Sequence, residues 1–136
     1  MKASILSFSL RGALLGKNIA KFLESVGYET EMWTMEKYSE ESKVRAYAID
    51  YKETTREAFQ TSSCLVYVGA TGIAVRAIAP HLVSKKDDPA ILNVDEKGNF
   101  VISLCSGHIG GANELARVLA ASIGAIPCVT TATDVN

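Results

Sequence analysis

The sequence predicts an α/β sandwich, a mostly parallel sheet flanked by helices with room for one antiparallel hairpin. Three observations carry that class. Short apolar runs alternate with segments of helical periodicity along the whole chain, the order expected of strands joined by crossover helices. The run Cys64-Leu-Val-Tyr-Val68 is apolar throughout, as in strands buried on both faces of a parallel sheet. The acidic, glycine-containing stretch Asp95-Glu-Lys-Gly-Asn99 separates two strand-like runs, Ala90 to Val94 and Phe100 to Ser103, and reads as a hairpin turn.

The elements follow in order. Ala3 to Phe8 is a short β-like run ending at Ser9-Leu-Arg-Gly12. Ala13, Leu14, Ile19, Ala20, Phe22 and Leu23 then recur at helical spacing up to Gly27, a fitting C′ glycine. Glu29 to Thr34 is a second strand, Glu36 to Lys43 a polar surface loop or fraying helix, and Ala46 to Tyr51 a third strand. Thr54 to Gln60 is a short helix with Thr54 or Thr55 as its N-cap. After Val68 comes Gly69-Ala-Thr-Gly72, then a helix through Ile73, Ala74, Ala77 and Ile78 that stops near Pro80. Ser84 to Pro89 is a charged connection, Ala112 to Ile123 a long helix, and Ile126 to Thr130 the last strand.

Bulk properties narrow the function. At 136 residues the chain is one domain with enough length for a real core. With 14 basic against 15 acidic residues it lacks the basic footprint of a nucleic-acid binder. Its apolar runs fall short of the ~20 residues of a membrane span. Met1-Lys2 leads straight into a strand-like run rather than a signal peptide. Cys64, Cys105 and Cys128 are widely spaced, with neither metal nor redox spacing, and reduced thiols fit a cytoplasm. No His/Cys/Asp/Glu cluster has metal-ligand spacing, so no metal site is expected. The polar end Thr131-Ala-Thr-Asp-Val-Asn136 reads as a domain cut from a longer protein.

Two glycine-rich turns carry the candidate chemistry. In Ser106-Gly-His-Ile-Gly-Gly-Ala-Asn-Glu114 a strand, a turn and a helix start follow one another. Glycines let backbone N–H groups approach a ligand, and the helix points its unpaired N–H groups and dipole at the same spot. Gly107, Gly110 and Gly111 would cradle an anion there, with His108 beside them for proton transfer. Ser106 could be an N-cap, a donor to ligand or a nucleophile, although the Gly-x-Ser-x-Gly context of a nucleophile is missing. Asn113 and Glu114 fall in the first helical turn, where a glutamate most often offsets the dipole. The second turn, Gly69-Ala-Thr-Gly72, repeats this pattern, with Thr71 as a possible cap and Arg76 as a bidentate carboxylate partner. Each turn also has a plain reading, a tight connection with a solvated histidine or arginine. Ligands of such sheets bind at the carboxyl ends of the strands, and both turns follow strands, so both are expected on that one edge. Neither matches a nucleotide fingerprint.

The pieces Val68-Gly-Ala-Thr-Gly-Ile-Ala-Val-Arg-Ala-Ile-Ala-Pro80, Asp87-Asp-Pro89, Val94-Asp-Glu-Lys-Gly98, Ser103 to Ala116 and Thr130-Thr-Ala-Thr-Asp134 together resemble the N-terminal domain of the CbiG family of cobalamin biosynthesis proteins. Residues 64–136 fit closely and in order, and the first sixty only in their α/β pattern. The resemblance implies the cobalt-precorrin-5A hydrolase reaction, in which the ring-A δ-lactone of a cobalt-bound corrinoid precursor is opened and acetaldehyde leaves. It implies a tetrapyrrole substrate that brings its own cobalt, no further cofactor, and middle and C-terminal domains of the same protein as partners. By residue type and position beside the anion-binding turn, His108 and Glu114 are the catalytic candidates for that reaction. Gly69, Thr71, Gly72, Arg76, Ser106, Gly107, Gly110, Gly111 and Asn113 are the candidates for gripping substrate carboxylates, the two turns acting jointly. The alternative is a non-catalytic carboxylate-binding or interdomain module; a generic small-anion domain is disfavoured.

Overall fold

The structure, a computed structural model, describes residues 1–107 and 109–132. Its strands are β1 (Lys2–Ser7), β2 (Glu29–Trp33), β3 (Cys64–Val68), β4 (Ala90–Val94), β5 (Phe100–Cys105) and β6 (Ile126–Cys128). Its helices are α1 (Leu10–Ser25), α2 (Glu36–Ser42), α3 (Tyr51–Thr61), α4 (Thr71–Ile78), which runs on into a 3-10 turn at Ala79–His81, and α5 (Ala112–Ile123). The strands form one sheet in the order β2-β1-β3-β4-β5-β6.

Side-chain alternation along the strands builds two cores, one on each face. Ile5, Val66, Leu92 and Val101 pack with Ile19 and Leu23 of α1 and with Ala116 and Leu119 of α5. Leu6, Leu65, Tyr67 and Ile91 pack with Ala58 of α3 and with Ala74, Ala77 and Ile78 of α4. All five residues of β3 are inaccessible to solvent, which is why that run carries no polar side chain except the Tyr67 hydroxyl, bonded to Thr55 Oγ1 at 2.6 Å. The α/β sandwich class therefore holds.

Helix ends follow the sequence closely where a cap is available. Ser9 caps α1 by accepting from Gly12 N at 2.9 Å. Its C-terminus closes with Gly27 N on Glu24 O (3.2 Å) and Tyr28 N on Leu23 O (3.0 Å), with Gly27 at φ 103°, a Schellman motif. Two expectations need correction. Ala46 to Tyr51 is not a strand: Thr34 and Ala46 form an isolated bridge, and the Asp50 side chain accepts from Glu53 N at 2.8 Å to start α3. The α3 cap is thus Asp50 rather than Thr54 or Thr55, both of which are buried. The polar segment after β2 resolves as α2, ended by Lys43 in the left-handed region.

Strand direction is what positions the site. β1 to β4 run parallel, whereas β4 and β5 are antiparallel and β6 follows β5. The Asp95 turn makes this reversal. Asp95 Oδ1 accepts from Asn99 N at 2.8 Å and Phe100 N at 2.7 Å. Among the described residues no helix is long and apolar enough to cross a membrane, and no His/Cys/Asp/Glu group could hold a metal ion.

Candidate functional site

The reversal at β5 separates the two glycine turns. Val68 and Val94 end their strands side by side, so Gly69–Gly72 lies on the carboxyl edge of β1 to β4. Cys105 pairs with Ile91 near the start of β4, so the Gly107–Gly111 turn lies on the opposite, amino edge. A five-residue strand rises about 3.3 Å per residue, which puts the edges roughly 16 Å apart. The expectation of one shared edge is overturned. A strand-turn-helix pattern does not encode strand direction, and the hairpin inverts it.

On the carboxyl edge the turn is organised by Asn93 of β4, a buried polar residue in an otherwise apolar strand. Its amide donates to Tyr67 O (3.2 Å) and Gly69 O (3.1 Å), and its Oδ1 accepts from the Thr71 hydroxyl. Thr71 consequently does not cap α4. The N-cap is Ala70, which has no side-chain bond to offer. Among the described residues nothing accepts from the backbone N–H groups of Thr71 and Gly72, and both residues are exposed. Arg76 folds back over this end, its Nη1 3.2 Å from where a Gly72 Cβ would stand, and makes no ion pair among the described residues. The α1 start on the same edge is already filled, since Ser9 donates to Glu96 Oε2 at 2.6 Å.

On the amino edge the first two helix donors are engaged instead. Ala112 N bonds Ser106 O at 3.2 Å and Asn113 N bonds Gly107 O at 2.9 Å. The first two N–H groups of α5 are therefore closed on the helix's own turn, and the anion cradle expected from the glycines lacks them as donors. Its N-cap is Gly111, not Ser106. Asn113 is buried and accepts from the Ser103 hydroxyl at 2.6 Å. Ser106 is buried at φ 60°, a conformation costing about 1 kcal/mol or more for a residue with a Cβ. Its hydroxyl donates to Asp88 O at 3.3 Å. A Cβ at Gly110 would stand 2.5 Å from the Ser106 Cβ, and one at Gly107 would run into the Asn113 side chain and come within 2.8 Å of Thr131 Oγ1.

A cleft of about 350 Å³ opens beside this turn, lined by Lys85, by the chain from Ser103 to Gly107, by Ile109, and by Thr130, Thr131 and Ala132. A second cleft of about 280 Å³ shares Lys85, Cys105 and Ser106 and reaches Leu82 and Asp88. Burial, and then the nearby Asp88 carboxylate, push the Cys105 thiol above its ordinary pKa. His108 and Asp134 lie outside the described residues, although Gly107 and Ile109 on either side of His108 both line the first cleft.

The remaining candidates divide cleanly. Ser106 and Gly107 meet in the cleft. Gly69, Thr71, Gly72 and Arg76 are at the other end of the sheet. Glu114 pairs with Arg117 at 3.7 Å and, with Gly111, borders a different groove between α1 and α5. His81, at the end of the 3-10 turn after α4, packs at a tilt against Phe59 with ring centroids 5.4 Å apart. The cysteines are free thiols. Asn93, Lys85, Thr130 and Thr131 went unrecognised in the sequence. A lone Asn inside a fully apolar strand was the available signal for the first. The other three come from segments that only the fold brings together.

Comparison with known proteins places this architecture. The family described as cobalamin synthesis G N-terminal matches residues 53–134. A cobalt-precorrin-5A hydrolase from Salmonella typhimurium is 46% identical over 125 residues, 92% of this chain and 34% of that protein. The Priestia megaterium protein of the same name is 38% identical over 125 residues, 89% of this chain and 33% of that protein. The chain thus spans about a third of the length of these curated relatives. A crystal structure of a cobalamin biosynthesis protein G homolog from Sulfolobus solfataricus superposes with a TM-score of 0.74 at 29% identity, covering 95% of this chain and 36% of that one. The sandwich with its single reversed hairpin is the fold of a CbiG relative, and the chain belongs to the cobalamin synthesis G N-terminal family.

Proposed function

We propose that this chain works in corrin-ring assembly as the N-terminal part of a cobalt-precorrin-5A hydrolase. The observation that carries the reading is the 46% identity to the Salmonella hydrolase across 92% of this chain. The reaction takes one water and releases one acetaldehyde. Water adds to the ring-A lactone carbonyl, the acyl–oxygen bond breaks, and a carboxylate and an alcohol result. Loss of the alcohol proton then lets the adjacent carbon–carbon bond break, its electrons staying on the macrocycle carbon, which is protonated. Each step needs a proton carrier near neutral pH and donors for a developing oxyanion. Cobalt enters inside the substrate and calls on no metal ligand of this chain.

His108 is the proton carrier in this reading, because its neighbours Gly107 and Ile109 border the amino-edge cleft. Glu114 is left to offset the α5 dipole, since it pairs with Arg117 over another groove. Acetaldehyde release from cobalt-precorrin-5A by the full-length protein is the test. The wild type should produce one equivalent, and His108→Ala should slow release about 100-fold or more. Release by the variant at the wild-type rate would remove His108 from the chemistry.

A second reading is favoured by the Thr71 and Gly72 N–H groups and by Arg76, none of which has a partner among the described residues. Here the carboxyl edge grips a carboxylate without taking part in bond breaking. The 136-residue chain alone would then bind a carboxylate corrinoid and release no acetaldehyde.

A further inference from the structure

We infer that Lys85 is the cation that holds a carboxylate arm of the substrate in the amino-edge cleft, with the Thr130 and Thr131 hydroxyls as its co-donors. This rests on the reading above, that the ligand is a carboxylate-bearing tetrapyrrole.

The cleft is assembled from three segments distant in sequence: the connection after α4, the end of β5 with its turn, and the chain following β6. Lys85 is exposed at its rim. The acids nearest it in sequence are turned to the connection's own structure. Both Asp88 carboxylate oxygens accept from Val83 N, at 3.1 and 3.0 Å, and Asp87 accepts from the Ser84 hydroxyl at 2.8 Å. Among the described residues no carboxylate pairs with Lys85.

The hydroxyls sort by what their protons already do. Ser103 donates to Asn113 and Ser106 donates to Asp88 O, so neither has a proton for an anion. Thr130 and Thr131 have no hydrogen-bond partner among the described residues and remain available as donors. The first two α5 N–H groups, those of Ala112 and Asn113, are closed on the turn, and among the described residues lining the cleft the Lys85 ammonium is the cationic group. One cation and two hydroxyl donors suit a single carboxylate rather than a phosphate, which draws on arginine forks and rows of N–H groups. Leu104 and Ile109 add an apolar wall, and Ile109 is 54% exposed. That wall suits the edge of a macrocycle carrying the arm.

The test uses the full-length protein, absorbance titration with cobyrinic acid and with its fully methyl-esterified form, and steady-state acetaldehyde release from cobalt-precorrin-5A. The wild type should bind the acid at least about tenfold more tightly than the ester. Lys85→Gln should weaken acid binding about tenfold and raise KM by a similar factor with kcat within about twofold. Lys85→Arg should recover most of the loss. Acid binding by Lys85→Gln within twofold of wild type, or equal affinity for acid and ester, overturns the inference. Lys85-dependent binding without any acetaldehyde from the wild type supports it and sinks the hydrolase reading alone.

Discussion

At Gly69–Gly72 the chain leaves β3 and starts α4 with the Thr71 and Gly72 N–H groups lacking an acceptor among the described residues. At Gly107–Gly111 it leaves β5 and starts α5 with the corresponding groups bonded to Ser106 O and Gly107 O. Each turn is braced by one buried asparagine, Asn93 for the first and Asn113 for the second. The braces act differently. Asn93 reaches across from the neighbouring strand and leaves the helix end open, whereas Asn113 sits inside the helix start that it helps to close. A glycine-rich turn before a helix is therefore not in itself an anion site. What decides is whether the turn's own carbonyls fold back onto the first N–H groups.

Glycine substitution gives the largest effect that separates the two. Gly110→Ala would place a Cβ 2.5 Å from Ser106 Cβ and 2.7 Å from Ser106 O, and neither atom can swing away. We expect about 2–4 kcal/mol of lost stability by denaturant unfolding. Gly72→Ala meets only the mobile end of Arg76 at 3.2 Å, and the gain in helix propensity offsets that contact. Its expected change is within about 0.5 kcal/mol of zero. Equal losses at both positions would mean that the amino-edge turn is no more tightly built than the other.

The asparagine braces come next. Asn93→Ala leaves the Tyr67 and Gly69 carbonyls and the Thr71 hydroxyl without their partner, at a cost of about 2–3 kcal/mol. The loosening should be local. Hydrogen exchange should quicken at Gly69 to Ile73 and stay unchanged at the start of α5. Faster exchange at both ends of the sheet would show that the two turns are coupled through β4.

The sequence conveys much of this architecture and little of the comparison. The fully buried β3, the Gly27 helix stop and the Asp95 hairpin were all readable, because each depends on local chemistry that a short window contains. The consequence of the hairpin was not readable from either turn alone. Direction is a property of pairing between β4 and β5, and it sends the second turn to the far edge. Likewise Asp50 outcompetes Thr54 and Thr55 as a cap because those threonines are buried against the sheet, a tertiary fact. Lys85 looked like one charge in a charged loop until β6 brought Thr130 and Thr131 beside it.

A smaller effect concerns pH at the amino edge. Burial first, and Asp88 second, raise the Cys105 thiol pKa in the folded chain. A raised acid pKa contributes stability that is fully present below the free-thiol range and is lost as pH rises through the folded value. Stability should accordingly be flat from about pH 6 to 8 and fall above the ordinary thiol range near 8.5, and part of that fall should vanish in Cys105→Ala. Alkylation of Cys105 should quicken in Asp88→Asn, about two- to threefold at pH 8, because the carboxylate that disfavours the thiolate is gone. An unchanged rate would place the whole shift on burial.

The smallest effect is the one that can invert the assignment of edges. Arg76 is exposed, and solvent screens its charge, so Arg76→Gln should leave stability within about 0.5 kcal/mol of wild type. Its contribution to carboxylate binding should be about two- to threefold, vanishing by about 0.5 M salt, where the Debye length shrinks to a few ångströms. The Lys85 contribution should persist further into salt, because a cleft with an apolar wall admits fewer counterions than an open helix end. Titrating cobyrinic acid against both single variants and the double variant separates the edges. If they take different carboxylates, or only one takes any, the losses add, since the sites are too far apart to share a partner. If Arg76→Gln proves the costlier change, the open helix end of α4 is the substrate grip and the amino-edge cleft serves some other contact.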